Sequence, residues 1–197
     1  MHFKETNIVG AYEITIEPRF DERGFFGRSW CQREFEEHGL NPRLSQCNVS
    51  FNRCKGTLRG MHYQNEPLPE CKLVRCTKGA IYDVIIDLRC DSPSFKEHFG
   101  ATLTSRDLNM LYVPKGCAHG FLTLEDNTEV FYQMSEFYAS ELSRGLRWDD
   151  PAFGIQWPAP VAVISDRDRS YPDFEQLHEV QLINARALSN AGVSHGL

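Results

Sequence analysis

The 197-residue sequence has no apolar run approaching the roughly 18 residues that a membrane-spanning helix needs, so no membrane association is expected. It does not open on a secretory leader either. Its first ten residues, MHFKETNIVG, are too polar, and a cytoplasmic protein is the expectation. There is no CxxC pair. Seven cysteines, an odd number scattered from Cys31 to Cys117, suit neither a disulfide framework nor a zinc ribbon and read as reduced, mostly buried thiols. Positive charge is in deficit. A formal net charge of −6 argues against a nucleic-acid partner, although a few arginines in one cleft can still hold a phosphate. Internal repeats, low-complexity segments and linkers are all missing, which leaves one domain over 1–197 with a poorly ordered tail from about residue 186.

Helical periodicity is scarce. Only QREFEEHG (32–39), with Gly39 as a stop signal, and the segment 173–188 read as helices. Between turn signals lie short runs rich in β-branched and aromatic residues, at 8–16, 72–76, 80–88, 99–104, 110–114, 120–124 and 129–134. Short strands at this spacing indicate an all-β sandwich or barrel. The run 80–88 alternates, with Tyr82, Val84, Ile86 and Leu88 on one face and Ile81, Asp83, Ile85 and Asp87 on the other. A carboxylate such as Asp83 in so apolar a strand requires either a solvated outer face or a buried partner.

Two motifs are candidates for chemistry. The first is Gly56-Thr57-Leu58-Arg59-Gly60-Met61-His62-Tyr63-Gln64. In a regular strand Arg59 and His62 face opposite ways, but a bend at Gly60 would bring both toward one cavity. His62 is a candidate general base, since imidazole titrates near neutral pH. The second is Pro114-Lys115-Gly116-Cys117-Ala118-His119-Gly120-Phe121, a rigid turn leading His119 into a strand. Together they resemble the two half-motifs of the cupin superfamily. Metal-binding cupins carry HxH in the first half-motif, and here it reads His62-Tyr63-Gln64, a poor transition-metal site, so no metal is expected. Lys72, Tyr132 and Asp168 taken alone would read as a surface lysine, a core tyrosine and a loop aspartate.

With these motifs in place the sequence resembles the dTDP-4-dehydrorhamnose 3,5-epimerase family, from about residue 3 to about residue 175. The matching stretches include Asp21-Glu22-Arg23-Gly24-Phe25-Phe26, Gln46-Cys47-Asn48-Val49-Ser50, Gly56 through Gln64, Lys72-Leu73-Val74, Gly79 through Arg89, Ser92-Pro93, Pro114 through Phe121, Tyr132, Arg147-Trp148-Asp149-Asp150-Pro151 and Ser165-Asp166-Arg167-Asp168. The resemblance implies an all-β cupin-type jelly-roll barrel with short peripheral helices, a homodimer, no cofactor, and a nucleotide-linked 4-keto-6-deoxyhexose as substrate. It implies that His62 abstracts a proton, Asp168 orients His62, Lys72 stabilises an enolate and Tyr132 delivers a proton from the opposite face. His119 would line the sugar pocket, while Arg23, Gln46, Asn48 and Arg59 would hold the nucleotide and diphosphate. The chemistry suits these residue types. Removing a hydrogen next to a ketone needs a placed base and a donor or cation at the developing oxyanion.

The sequence departs from the family at three positions that the resemblance implies are substrate contacts. Arg28 and Ser143 stand where glutamates are usual, and Arg167 where a lysine is usual. These changes bear on which nucleotide and sugar are bound, so inversion at a single centre or a CDP- or GDP-linked substrate stays open at this level. So do a metal-dependent cupin and a sugar-binding cupin without activity.

Overall fold

The computed structural model of the protein describes residues 1–175. Fourteen strands and two short helices are defined there: β1 (His2–Glu5), β2 (Tyr12–Thr15), β3 (Arg19–Asp21), β4 (Gly24–Phe26), α1 (Gln32–Glu37), β5 (Gln46–Asn52), β6 (Thr57–Gln64), β7 (Lys72–Lys78), β8 (Ala80–Asp87), β9 (His98–Thr104), β10 (Asn109–Val113), β11 (Cys117–Thr123), β12 (Thr128–Met134), β13 (Ser143–Gly145), β14 (Val163–Ile164) and α2 (Asp166–Arg169). One sheet runs β1-β2-β10-β7-β12-β5. The other runs β13-β6-β11-β8-β9, with β14 alongside β6. All pairings are antiparallel except β14 on β6. Successive strands from β5 to β13 alternate between the sheets, apart from the β8–β9 hairpin. This is the double-sheet logic of a jelly roll, and it makes neighbours in sequence face each other across the barrel.

The inward faces carry the main core, in which Val74, Cys76, Ile81, Ile85, Leu111, Phe121 and Val130 pack together. The outer face of the first sheet is covered by α1, whose Phe35 packs against Ile14, Leu73 and Met110. The outer face of the second sheet buries Met61, Val84, Ile86 and Ala118 under Leu146, Phe153 and Phe174. With both faces covered, strand β8 is buried along almost its whole length. Asp83 therefore has no solvated face. It is fully buried, sharing the inward side with Ile81 and Ile85, and of the two environments allowed by the alternation the partnered interior is the one realised.

Other expectations shift at their edges. The run 8–16 yields only β2, because the chain turns at Gly10, with Ala11 N–H donating to the Ile8 carbonyl, and an unforeseen β1 precedes it. The segment 173–188 lies outside the described residues from 176 onward, as does the tail from 186. The hairpin β3–β4 and the single-turn α2 have too few residues to show a period and escape pattern reading.

The stretch Asp87–Ser94 is a polar knot at the end of β8. Asp87 is fully buried. It accepts hydrogen bonds from Arg89 Nε and Nη2, both at 2.8 Å, from Ser94 Oγ at 2.7 Å and from Ser92 Oγ at 2.5 Å. Burial opposes the charge, but these donors outweigh it and hold the carboxyl at about 2. The folded-state value lies below the unfolded one, so the stabilisation is fully present above about pH 4 and is lost as pH falls through about 2. We predict that Asp87→Asn costs about 2 kcal/mol at pH 7, and that the gap to the parent narrows steadily below pH 4. Urea unfolding from pH 7 to pH 2.5 measures this; a gap that does not depend on pH would show that the knot acts by packing rather than by charge.

Candidate active site

A cavity of about 520 Å³ opens between the two sheets, lined among others by Arg59, His62 and His119 from the second sheet and by Lys72 and Tyr132 from the first. A bulge in β6 makes this possible. His62 pairs with His119 and Arg59 pairs with Phe121, so three steps of β6 oppose two of β11. Paired residues share a face, and the extra residue therefore lets both Arg59 and His62 point inward. The bend expected at Gly60 is the device. Gly60 has φ of 144°, a Cβ there would lie 2.5 Å from Gly120 Cα, and one on Gly120 would meet Met61 Sδ at 2.6 Å and Gly60 Cα at 2.9 Å. Only two glycines allow the strands to approach this closely. The Gly60–Met61 peptide is cis.

His62 Nε2–H donates to Asp168 Oδ1 at 2.7 Å. Strand β14 pairs with Thr57 and Leu58 at the start of β6 and leads directly into α2. The Ser165 hydroxyl caps that turn by accepting the Asp168 N–H at 3.1 Å. Gly60 N–H approaches the other carboxylate oxygen at 3.3 Å. Burial raises the Asp168 carboxyl's affinity for a proton. The hydrogen bond and charge of His62, with the Gly60 and Ser165 donors, more than offset this and keep it below the usual carboxylate range. An ionised Asp168 accepts only, which fixes the proton of neutral His62 on Nε2 and leaves Nδ1 as the basic atom.

A second histidine–carboxylate pair lies deeper. His119 Nε2 is 2.7 Å from Asp83 Oδ1, and both residues are buried. This is the partner that the lone carboxylate of β8 required. Among the described residues, no group of three or more His, Cys, Asp and Glu side chains is arranged to hold a metal ion.

Across the cavity, Lys72 Nζ lies 3.0 Å from Glu70 Oε1, both side chains being about nine-tenths buried. Burial raises the pKa of the Tyr132 phenol. Arg59 acts the other way and Glu70 in the same sense, and the net shift is upward, so Tyr132 holds its proton at neutral pH. Arg59 is steadied through Nε, which donates to Asn52 Oδ1 at 2.8 Å. That contact leaves the outer edge of the guanidinium for an oxyanion.

An adjoining recess of about 400 Å³ shares His62, Lys72, Tyr132 and Arg167 with the cavity and brings in Gln46, Asn48, Ser143 and Glu70. Two of the family departures meet here. Arg167 Nη2 donates to Ser143 Oγ at 3.1 Å, so the unusual serine and the unusual arginine form one local pair. Arg23 and Arg28 are not brought to the cavity. Arg23 projects from the β3–β4 turn and pairs with Asp21, while Arg28 pairs with Glu34 at 3.0 Å beside the N-terminal amine. Nothing in the spacing marks Asn52 or Glu70. Each acts by supporting another residue, and neither sits in a motif with a chemical signature. The seven cysteines are all free thiols, and burial pushes Cys76 up to about 11 and Cys117 up to about 12, which makes both inert.

The family model described as dTDP-4-dehydrorhamnose 3,5-epimerase matches residues 5–176. A relative of that name from Sinorhizobium fredii is 39% identical over 178 residues, covering 90% of this chain and 91% of its own. The solved dTDP-4-dehydrorhamnose 3,5-epimerase from Bacillus anthracis, with TDP and PPi bound, superposes with a TM-score of 0.85 at 40% identity, covering 88% of this chain and 99% of its own. An epimerase from Legionella pneumophila, in complex with dTDP-4-keto-L-rhamnose, superposes with a TM-score of 0.83 at 32% identity, covering 88% and 93%. Together with the paired half-motifs, the His62–Asp168 pair and the facing Lys72 and Tyr132, these matches establish that the chain belongs to the dTDP-4-dehydrorhamnose 3,5-epimerase family.

Proposed function

We propose that this chain is an isomerase that inverts C3 and C5 of a dTDP-linked 4-keto-6-deoxyhexose. One observation carries the proposal: a carboxylate-oriented base, His62, on one sheet faces a protonated phenol, Tyr132, on the other, with Lys72 in the same cavity. The ketone at C4 acidifies the hydrogens on C3 and C5. His62 Nδ1 takes one of them, and the resulting imidazolium is stabilised by ionised Asp168. The electron pair moves onto the C4 oxygen, where the ammonium of Lys72, which lines the same cavity, stabilises the developing charge. Tyr132 returns a proton to the same carbon from the other side, which inverts it. His62 then releases its proton and Tyr132 regains one. These transfers draw only on side chains of the protein and call for no cofactor.

The nucleotide assignment rests on Arg59, which lines the cavity and whose side chain, among the described residues, hydrogen-bonds only through Nε, and on Gln46 and Asn48 in the recess. The relatives' ligands favour a thymidine nucleotide. The Ser143–Arg167 pair reads as mutual compensation between two departures, which leaves the family's substrate class intact.

The same reading includes a homodimer. Phe20, Phe25 and Phe26 on β3–β4 are exposed, Phe26 to 78%, as are Val49 and Phe51 on the edge strand β5. An exposed aromatic hairpin together with an apolar sheet edge is a surface that a second copy would cover. Arg23 sits on that hairpin, so assembly is its route to a nucleotide. Free cysteines, and the lack among the described residues of any helix long and apolar enough to cross a membrane, accord with a cytoplasmic location.

Two variants test the assignment. His62→Asn keeps a polar side chain of similar reach but has no titrating nitrogen, and turnover is expected to fall by about 10²- to 10⁴-fold. Activity within a few-fold of the parent would remove His62 from the base role. Tyr132→Phe keeps the ring and loses the phenolic proton. The enolate should still form and be reprotonated from its original face by His62. NMR in D2O is expected to show substrate hydrogen exchanging while inversion lags at the centre Tyr132 serves. Equal loss of exchange and inversion would place Tyr132 in binding or enolisation and defeat the two-face assignment.

A further inference from the structure

We infer that Glu70 is a specificity-determining residue of this site: it fixes the Lys72 ammonium and accepts a hydrogen bond from the hexose hydroxyl on C3, next to the ketone. The inference rests on the epimerase reading above and adds to it the group that recognises the sugar. Glu70 lies two residues before Lys72, ahead of β7, and its side chain is 8% exposed. One oxygen, Oε1, engages Lys72 Nζ at 3.0 Å, while the other, Oε2, is buried and has no hydrogen-bond partner among the described residues. A carboxylate only accepts, and a buried one is retained where its lone pairs meet donors. Here one oxygen lacks its donor, and the residue lines the recess that opens beside His62 and Tyr132.

The polar groups around the recess do not supply that donor. The Gln46 side-chain carbonyl accepts the Tyr138 N–H, and the Asn48 amide is directed at Met134 Sδ. Gln64 donates to the carbonyls of Leu68 and Phe137. Arg167 donates to Ser143 and Tyr171. A bound molecule that brings its own hydroxyl completes the set. The match is specific in kind. An ammonium donor beside a carboxylate acceptor complements a ketone oxygen beside a hydroxyl on the adjacent carbon, and of the two carbons flanking C4 in a 6-deoxyhexose only C3 bears a hydroxyl. Lys72 has three N–H groups, so its bond to Glu70 leaves others for the C4 oxygen.

The test pairs a change in the protein with a change in the substrate. Full-length parent, Glu70→Ala and Glu70→Gln are assayed for C5 inversion on dTDP-4-keto-6-deoxyglucose and on its 3-deoxy analogue, and dTDP binding is measured by calorimetry. Glu70→Ala is expected to lower kcat/KM on the hydroxylated sugar by about 10- to 100-fold. The loss on the 3-deoxy sugar should be at least about five-fold smaller, and dTDP affinity should stay within about two-fold. Glu70→Gln preserves shape and one acceptor oxygen and should show the same substrate dependence with a smaller loss, which guards against a folding defect in the alanine variant. Equal losses on both sugars, or none on either, would overturn the role of Glu70. A parent protein that inverts neither sugar would instead overturn the epimerase reading, and this inference with it.

Discussion

The arrangement depends on the contact between Gly60 and Gly120. Two strands of one sheet pass so closely that neither residue can carry a Cβ. That approach accommodates the extra residue of β6, and the extra residue turns Arg59 and His62 to the same side. Without it, strict alternation would direct the arginine into the barrel and the histidine out of it, or the reverse. The bulge also presents the Gly60 N–H to Asp168, so the feature that aims His62 helps to keep the carboxylate behind it ionised. A backbone constraint is thereby converted into an orientation and a protonation state.

The barrel supplies the second requirement, two-sidedness. Because successive strands change sheets, β6 and β11 deliver His62 and His119 from one wall, while β7 and β12 deliver Lys72 and Tyr132 from the other. Inverting a carbon needs a base and an acid on opposite faces, and facing sheets put candidates for the two on opposite walls of one cavity. Buried carboxylates recur behind the working groups: Asp168 behind His62, Asp83 behind His119 and Glu70 beside Lys72. In each case a buried carboxylate holds the side chain in front of it by a contact of 2.7 to 3.0 Å.

Features written in local pattern were legible in the sequence. Alternation in 80–88 and short β-branched runs point to an all-β barrel, and the glycine between Arg59 and His62 points to a shared cavity. Contacts between residues far apart in the chain were not. The partner of Asp83 lies on another strand, and the alternation could not decide between water and the interior until the outer face of β8 proved to be covered by Phe153 and Phe174. Asn52 and Glu70 left no trace because a supporting hydrogen bond has no spacing of its own. Arg23 and Arg28 belong to a motif that the fold places outside its own cavity, since a hairpin with exposed aromatics takes its place from what packs against it.

In the proposed reaction, protons leave and return on opposite faces of the carbons beside a ketone. The unmodified protein in D2O with dTDP-4-keto-6-deoxyglucose tests it most directly, with isotope and configuration at C3 and C5 followed by NMR as product appears. Each inverted carbon is expected to carry one solvent deuterium, with label and inversion arising together at both positions. Product in which an inverted carbon keeps its original hydrogen, or label that accumulates without inversion in the parent protein, would contradict it.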